Sequence, residues 1–198
     1  MSYLSKVFLM QMMRFRVLLF YILNKRKFKR LEFRALIIKP LRIDGKEYIS
    51  LLRGAIIQKH SFLYAAKIDD HEPELIIGKG SLLGNYNHIA SVRKVVFGEN
   101  VLTADRVYVS DNLHEYENVN VPIVHQPVKF KSEVSIGDGS WIGENVCIIG
   151  ARIGKNCVIG ANAVVTSDIP DYSVAVGIPA KVIKKYDPKK QIWGKTSG

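Results

Sequence analysis

Between Val134 and Asp171 an aliphatic side chain recurs at Ile136, Ile142, Ile148, Ile153, Ile159 and Val165, and every step but one is six residues long. Glycine follows four of these positions (Gly137, Gly143, Gly154, Gly160). Small or β-branched residues such as Val134, Ser140, Val146, Cys157 and Ala163 stand two places before them. A period of six is neither the 3.6 of a helix nor the alternation of a half-buried strand. Short strands joined by tight bends turn the aliphatic residue inward once per side, and three sides close a coil whose neighbours stack above and below it. Each strand then pairs with its copy in the next coil, so the sheets are parallel and enclose a column of Ile, Leu and Val. The glycines are expected at bends that need positive φ or close backbone approach.

The same register extends toward the N-terminus. It begins weakly at Ile43 and runs through Leu51, Ile57 and Leu63, is broken by a loop over 69–74, and resumes at Ile77, Leu83 and Ile89. A further coil reads Phe97, Thr103, Val109, with the polar Thr103 at an inward position. From Val109 to Ile136 the distance is 27 residues where six were due, so a long excursion over 110–135 leaves the prism. Long loops on rigid scaffolds are where function concentrates. The five-residue step to Ile153 predicts a tightened corner near Gly150. The expected division is an N-terminal helical and basic segment over 1–36, a β-helix domain over 37–183 and a basic C-terminal tail over 184–198.

Composition changes this picture mainly at the ends. The 198 residues are 47% hydrophobic, enough for a sizeable core, and carry a net charge of +11. Residues 1–30 hold eight Lys or Arg and no acid, and 181–198 hold six Lys against one Asp, whereas the other 150 residues hold 15 basic and 17 acidic groups. That distribution argues against nucleic-acid binding by the body and for ends that meet something anionic. Of the two cysteines, Cys157 takes an inward register position and Cys147 an outward one, so they are not expected to pair, which suits a reducing cytoplasm. Residues 3–23 are apolar, with Phe8, Met12, Phe15, Leu19 and Ile22 spaced as one helical stripe. Arg14 and Arg16 interrupt the run, which argues against a spanning helix or signal peptide. The basic run Lys25, Arg26, Lys27, Lys29, Arg30 follows. An apolar helix with a basic cluster suits either a peripheral contact with an anionic membrane through residues 3–30 or a cap on the open end of the prism.

The five histidines (His60, His71, His88, His114, His125) have no metal-ligand spacing, and no nucleophile elbow or phosphate-binding glycine loop is present. His114 is the best single candidate for chemistry. It stands at the root of the excursion with Asp111 three residues before it and Glu115 beside it, where an imidazole can take a proton and a carboxylate can orient its ring. A solvated loop histidine is the alternative reading of the same spacing.

Four motifs then carry a resemblance: Val-Tyr-Val-Ser-Asp-Asn-Leu-His (107–114), Gly-Ser-Trp-Ile-Gly-Glu-Asn-Val (139–146), Gly-Ala-Asn-Ala-Val-Val-Thr (160–166) and Gly-Ile-Pro-Ala-Lys-Val-Ile (177–183). Residues 75–186 resemble the hexapeptide-repeat acetyltransferases that O-acetylate sugars in bacterial polysaccharide and lipopolysaccharide synthesis, a group related to galactoside and maltose acetyltransferases. The resemblance implies an all-β chain with an N-terminal helical segment, folded as a left-handed parallel β-helix. It also implies a homotrimer that binds acetyl-CoA as acyl donor between neighbouring prisms and needs no metal. Carried over by residue, His114 resembles the catalytic base, supported by Asp111, although Asn112 stands where relatives often have a second histidine. Trp141 resembles a residue near the cofactor thiol, and a contact between subunits accounts for it equally. Gly143 or Glu144 is a candidate backbone donor to the oxyanion. Ala161 and Thr166 match positions along the pantetheine arm. Lys181 and Lys184 match positions near the nucleotide phosphates, with Lys185 able to replace either. Asn85 and Asn87 match the acceptor-contacting region, and both also suit structural corners. The expected function is a cytoplasmic O-acetyltransferase acting on a sugar or lipid-linked saccharide of a surface-polysaccharide precursor. An N-acetyltransferase on an amino sugar and a non-catalytic β-helical scaffold are the alternatives, and a carbonic anhydrase of the same prism lacks its histidine pair.

Overall fold

A computed structural model describes residues 3–196 of the chain. Three parallel sheets form the three faces of a prism, and consecutive strands step from face to face. On the first face Leu31, Leu51, Ile77, Phe97, Ile136 and Ile153 fall in one column, each level with the next. On the second face Ile37, Ile57 and Leu83 form the lower part of a column continued by Thr103, Ile142, Ile159 and Ala175. The third face aligns Ile43, Leu63, Ile89, Val109, Ile148 and Val165. From Leu51 upward these inward side chains are at most 2% exposed, so the six-residue pattern and the interior are one fact. Full burial of each Ile, Leu, Val or Phe among them is worth about 1.5–3 kcal/mol before conformational entropy is counted.

Two boundaries differ from the expectation. The first coil begins at Leu31 and Ile37, six residues apart and six before Ile43, so the prism starts ahead of residue 37. Its corners carry Phe33, Arg34, Lys39 and Pro40 in place of glycine, which hid the repeat. At the other end the expected basic tail over 184–198 is largely strand. Lys181–Asp187 turns back antiparallel on Ser173–Val176, and Ile192–Lys195 pairs with it in turn. Backbone bonds to an open sheet edge drive that pairing, and a lysine-rich composition does not advertise it. Residues 1, 2, 197 and 198 of the expected end segments, and the side chain of Phe8, lie outside the described residues.

The glycines that follow inward aliphatics serve close approach alone. A Cβ on Gly143 would lie 2.6 Å from the Ala161 amide nitrogen in the coil above. Positive φ falls instead three places after the inward residue, on Asn100, Asn145, Asn156 and Asn162 among others. Asn tolerates that region best among residues with a Cβ. The tightened corner is present, with Gly150 at φ 56.

The excursion leaves the corner between the third and first faces. Its two legs, Asn112–His114 and Val128–Phe130, pair antiparallel, and a 3₁₀ turn at Ile123–His125 lies between them. The helix Tyr3–Asn24 meets the prism at its lower end, where Phe20 and Tyr21 pack against the core. No helix among the described residues is long and apolar enough to cross a membrane.

Candidate active site

His114 ends the first leg of the excursion, opposite Val128, and its ring is exposed. Among the described residues no side chain or backbone group hydrogen-bonds that ring. Asp111 in particular does not orient it, which corrects the sequence expectation. Fully buried, Asp111 accepts from the backbone N–H groups of Val92 (2.9 Å), Arg93 (2.8 Å) and Lys94 (2.8 Å), from Ser91 Oγ (3.3 Å) and from Asn112 Nδ2 (2.9 Å). A carboxylate with its lone pairs so occupied fastens the corner from which the excursion departs. It positions the root of the loop and has no capacity left for the imidazole.

The residues matched to the cofactor lie mostly elsewhere. Trp141 projects from the second face, 50% exposed, between Leu102 below and Val158 above. Leu82 and Leu102 continue the column downward and are themselves exposed, so an apolar stripe runs beneath the indole. The repeat places both leucines at outward positions. Lys184 stands level with Val174 higher on the same face, and Lys181 with Val176. Ala161 and Gly143 occupy the corner from the second to the third face, one above the other. Of the two backbone donors considered for an oxyanion, the Gly143 N–H is taken by Ile159 O at 2.8 Å. Thr166 follows the strand Val164–Val165 of the third face and so belongs to the corner column that carries the excursion. A single chain therefore gathers Trp141, Gly143, Ala161, Lys181 and Lys184 on one side and His114 with Thr166 on another.

Asn87 is a structural residue, which corrects its assignment to acceptor binding. It is 1% exposed, donates to Thr103 Oγ1 at 2.6 Å and accepts the Val107 N–H at 2.8 Å. The same bond accounts for polar Thr103 facing inward, since its hydroxyl also accepts the Gly84 N–H at 3.1 Å. Asn85 is half-buried at the same corner and donates to both oxygens of Asp105, at 3.1 and 3.2 Å.

A groove of about 570 Å³ beside the root of the excursion was missed by sequence reasoning. His71, Arg93, Lys94, Phe130, Lys131 and Arg152 line much of it. Arg93 lies over the Phe130 ring at 4.5 Å and donates to Asp69 at 2.7 Å. With the His71 N–H also donating, that guanidinium holds the Asp69 carboxyl well below the usual carboxylate range. No sequence signal links these residues, because they come from the 69–74 loop, a coil corner, two strands of the first face and the excursion. Among the described residues no group of His, Cys, Asp or Glu is arranged to hold a metal ion.

A family model described as hexapeptide repeat of succinyl-transferase matches residues 133–167. Galactoside O-acetyltransferase of Escherichia coli K12 is 30% identical over 156 residues, covering 76% of this chain and 73% of that protein. An E. coli protein named for lipopolysaccharide biosynthesis O-acetyl transfer, WbbJ, is 37% identical over 121 residues, covering 57% of this chain and 61% of its own. The chain spans 38–61% of the length of the first three curated relatives it matches. Among solved structures, a variant of AntD, an N-acyltransferase from Bacillus cereus in complex with dTDP and coenzyme A, superposes with a TM-score of 0.69 at 19% identity. That likeness covers 85% of this chain and 90% of that one, and it bears on the fold, a left-handed parallel β-helix. With the repeat, the inward columns and a galactoside acetyltransferase matched over most of its length, the chain belongs to the hexapeptide-repeat acetyltransferases.

Proposed function

We propose that this protein is a cytoplasmic, trimeric O-acetyltransferase that moves the acetyl group of acetyl-CoA to a sugar hydroxyl of a surface-polysaccharide precursor. The observation that carries the reading is the separation of the candidate groups within one chain. His114 hangs on a hairpin outside one corner, while Trp141 and Lys184 line a different face. Side by side in a ring, the hairpin of one prism and the second face of its neighbour bound a single cleft. The hairpin supports such a contact, since Tyr116, Val119, Ile123 and Val124 are 53–91% exposed near its tip, far more apolar surface than a solvated loop needs.

In this cleft one ring nitrogen of His114 takes the hydroxyl proton as the sugar oxygen attacks the thioester carbonyl. The tetrahedral oxyanion collapses, the carbon–sulfur bond breaks, and the imidazolium returns the proton to the departing thiolate, so coenzyme A leaves as the thiol. No acyl-enzyme is formed. Trp141 covers the thiol end, Ala161 and Thr166 of the two adjoining chains flank the pantetheine arm, and Lys181 and Lys184 meet the phosphates. Asp111 serves by fixing the root of the base-bearing loop. The names of the relatives support the acceptor class.

The test is thiol release from acetyl-CoA with a panel of sugars and lipid-linked saccharides. His114→Asn is expected to lower turnover of the true acceptor by about two orders of magnitude or more, the worth of a positioned general base. Its melting temperature should stay that of the parent. Turnover within about threefold of the parent would remove His114 from the chemistry.

A further inference from the structure

The helix Tyr3–Asn24 is apolar on both sides, yet the prism uses only one. Phe20 packs on Phe28 at 6.3 Å and Tyr21 on Phe33 at 5.7 Å, with Val17 and Asn24 half-buried on the same side. At about 100° per residue, Met12, Phe15, Leu18, Leu19, Ile22 and Leu23 share an opposite arc of roughly 140°, with Gln11 the polar residue at its start. All six are 44–66% exposed. Two apolar sides, parted by the register positions of Arg14 and Arg16, are expected to be covered on both.

The surroundings of the exposed arc say what covers it. Lys25, Arg26 and Lys27 follow the helix directly, and Arg34 and Lys39 stand at the corners of the first coil. All five are exposed, and none has an acidic partner among the described residues. The nearby acids are engaged: Glu32 by Arg30 and the Arg53 N–H, Asp44 by Arg42, leaving Glu47 alone. The same corners expose Leu41 (72%) and Phe33 (48%). Apolar surface interleaved with unpaired cations, on a helix unsuited to spanning, is the chemistry of a segment that lies in the headgroup region of an anionic bilayer.

We infer that the N-terminal end of the prism is a docking surface for anionic lipid. The arc from Met12 to Leu23 lies among the acyl-chain ends, Lys25, Arg26 and Lys27 lie against the headgroups, and Arg34, Lys39 and Leu41 widen the contact to the first coil. The inference stands without acetyl transfer, and its readout is independent of that activity.

The experiment is co-sedimentation of the full chain with vesicles of phosphatidylglycerol and phosphatidylcholine, and of phosphatidylcholine alone, at low and high salt. Binding to the anionic vesicles is expected, weakening at least about tenfold at high salt. Lys25→Glu with Arg26→Glu and Lys27→Glu should lower it by at least about tenfold. Phe15→Ser with Leu19→Ser and Ile22→Ser should do the same through lost apolar contact, at unchanged melting temperature, since these side chains face away from the prism. Leu41→Ser, a single exposed corner residue that cannot unfold the chain, should lower it by about threefold or more. Equal partition into both lipid types, no binding by the parent, or binding unmoved by the variants would overturn the inference. A change of oligomeric mass in the serine variant would also overturn it, by assigning the arc to another copy of the chain.

Discussion

Asp111 and His114 stand three residues apart and do different work. The carboxylate is buried under three backbone N–H groups, and the imidazole is exposed on the loop that those bonds fasten. Asp111→Ala would leave the N–H groups of Val92, Arg93 and Lys94 without their acceptor in a partly buried corner, at a cost of about 3 kcal/mol. Urea denaturation is expected to give a midpoint lowered accordingly, alongside reduced turnover. An activity loss with unchanged stability would instead make Asp111 a direct partner of the base. The inward aliphatics were legible in the sequence because burial at a fixed period is a one-dimensional signal. The work of Asp111 and Asn87 was hidden because their partners lie 16–20 residues away at a distance that varies with each corner. Spacing suggested an Asp–His pair where three-dimensional proximity offers Asp a better set of donors.

At the scale of elements, the six-residue period predicted strands, faces and register from Leu51 onward, and it failed where corners lost their small residues. The first coil was obscured by Phe33, Arg34 and Pro40, and the terminal hairpin by its lysines. The third face also carries an outward aromatic ladder that the six-residue period does not reveal. Phe62 stacks on His88 at 4.7 Å, and Tyr108 meets the same imidazole edge-on at 5.2 Å. Burial between these rings pushes the His88 imidazole below its usual value. The unfolded chain therefore binds the proton more readily, and this histidine stabilises the fold fully above about pH 6.5, with the contribution lost as pH falls through the folded value. Because the ring is also partly solvated, the effect should stay below about 1 kcal/mol. Melting curves between pH 7.5 and 5 are expected to fall less steeply for His88→Phe than for the parent. An unchanged slope would assign the acid sensitivity to other groups.

For the whole molecule, the proposed cleft requires neighbours. Light scattering at micromolar concentration is expected to give three chain masses, and Val119→Asp with Val124→Asp, at the exposed tip of the excursion, should shift the distribution toward the monomer and abolish turnover together. A monomeric parent with full activity would confine the chemistry to one prism. Cyclic symmetry would also set the three N-terminal helices at one end of the assembly, so weak lipid contacts would add through effective concentration. The reversal of direction at Lys181–Asp187 bears on a different hazard. Every level of a parallel stack offers the same hydrogen-bonding edge, so another copy could settle on the top coil as readily as a further coil of the same chain, and the product would be a fibre. In this protein the second face ends in an antiparallel hairpin, Lys181–Asp187 with Ile192–Lys195, that bears lysines, and Ala180 donates its N–H to Val164 O at 2.8 Å on the adjoining face, so a further coil would meet a charged hairpin where the repeat would offer a bare copy of itself, an arrangement expected to oppose filament growth.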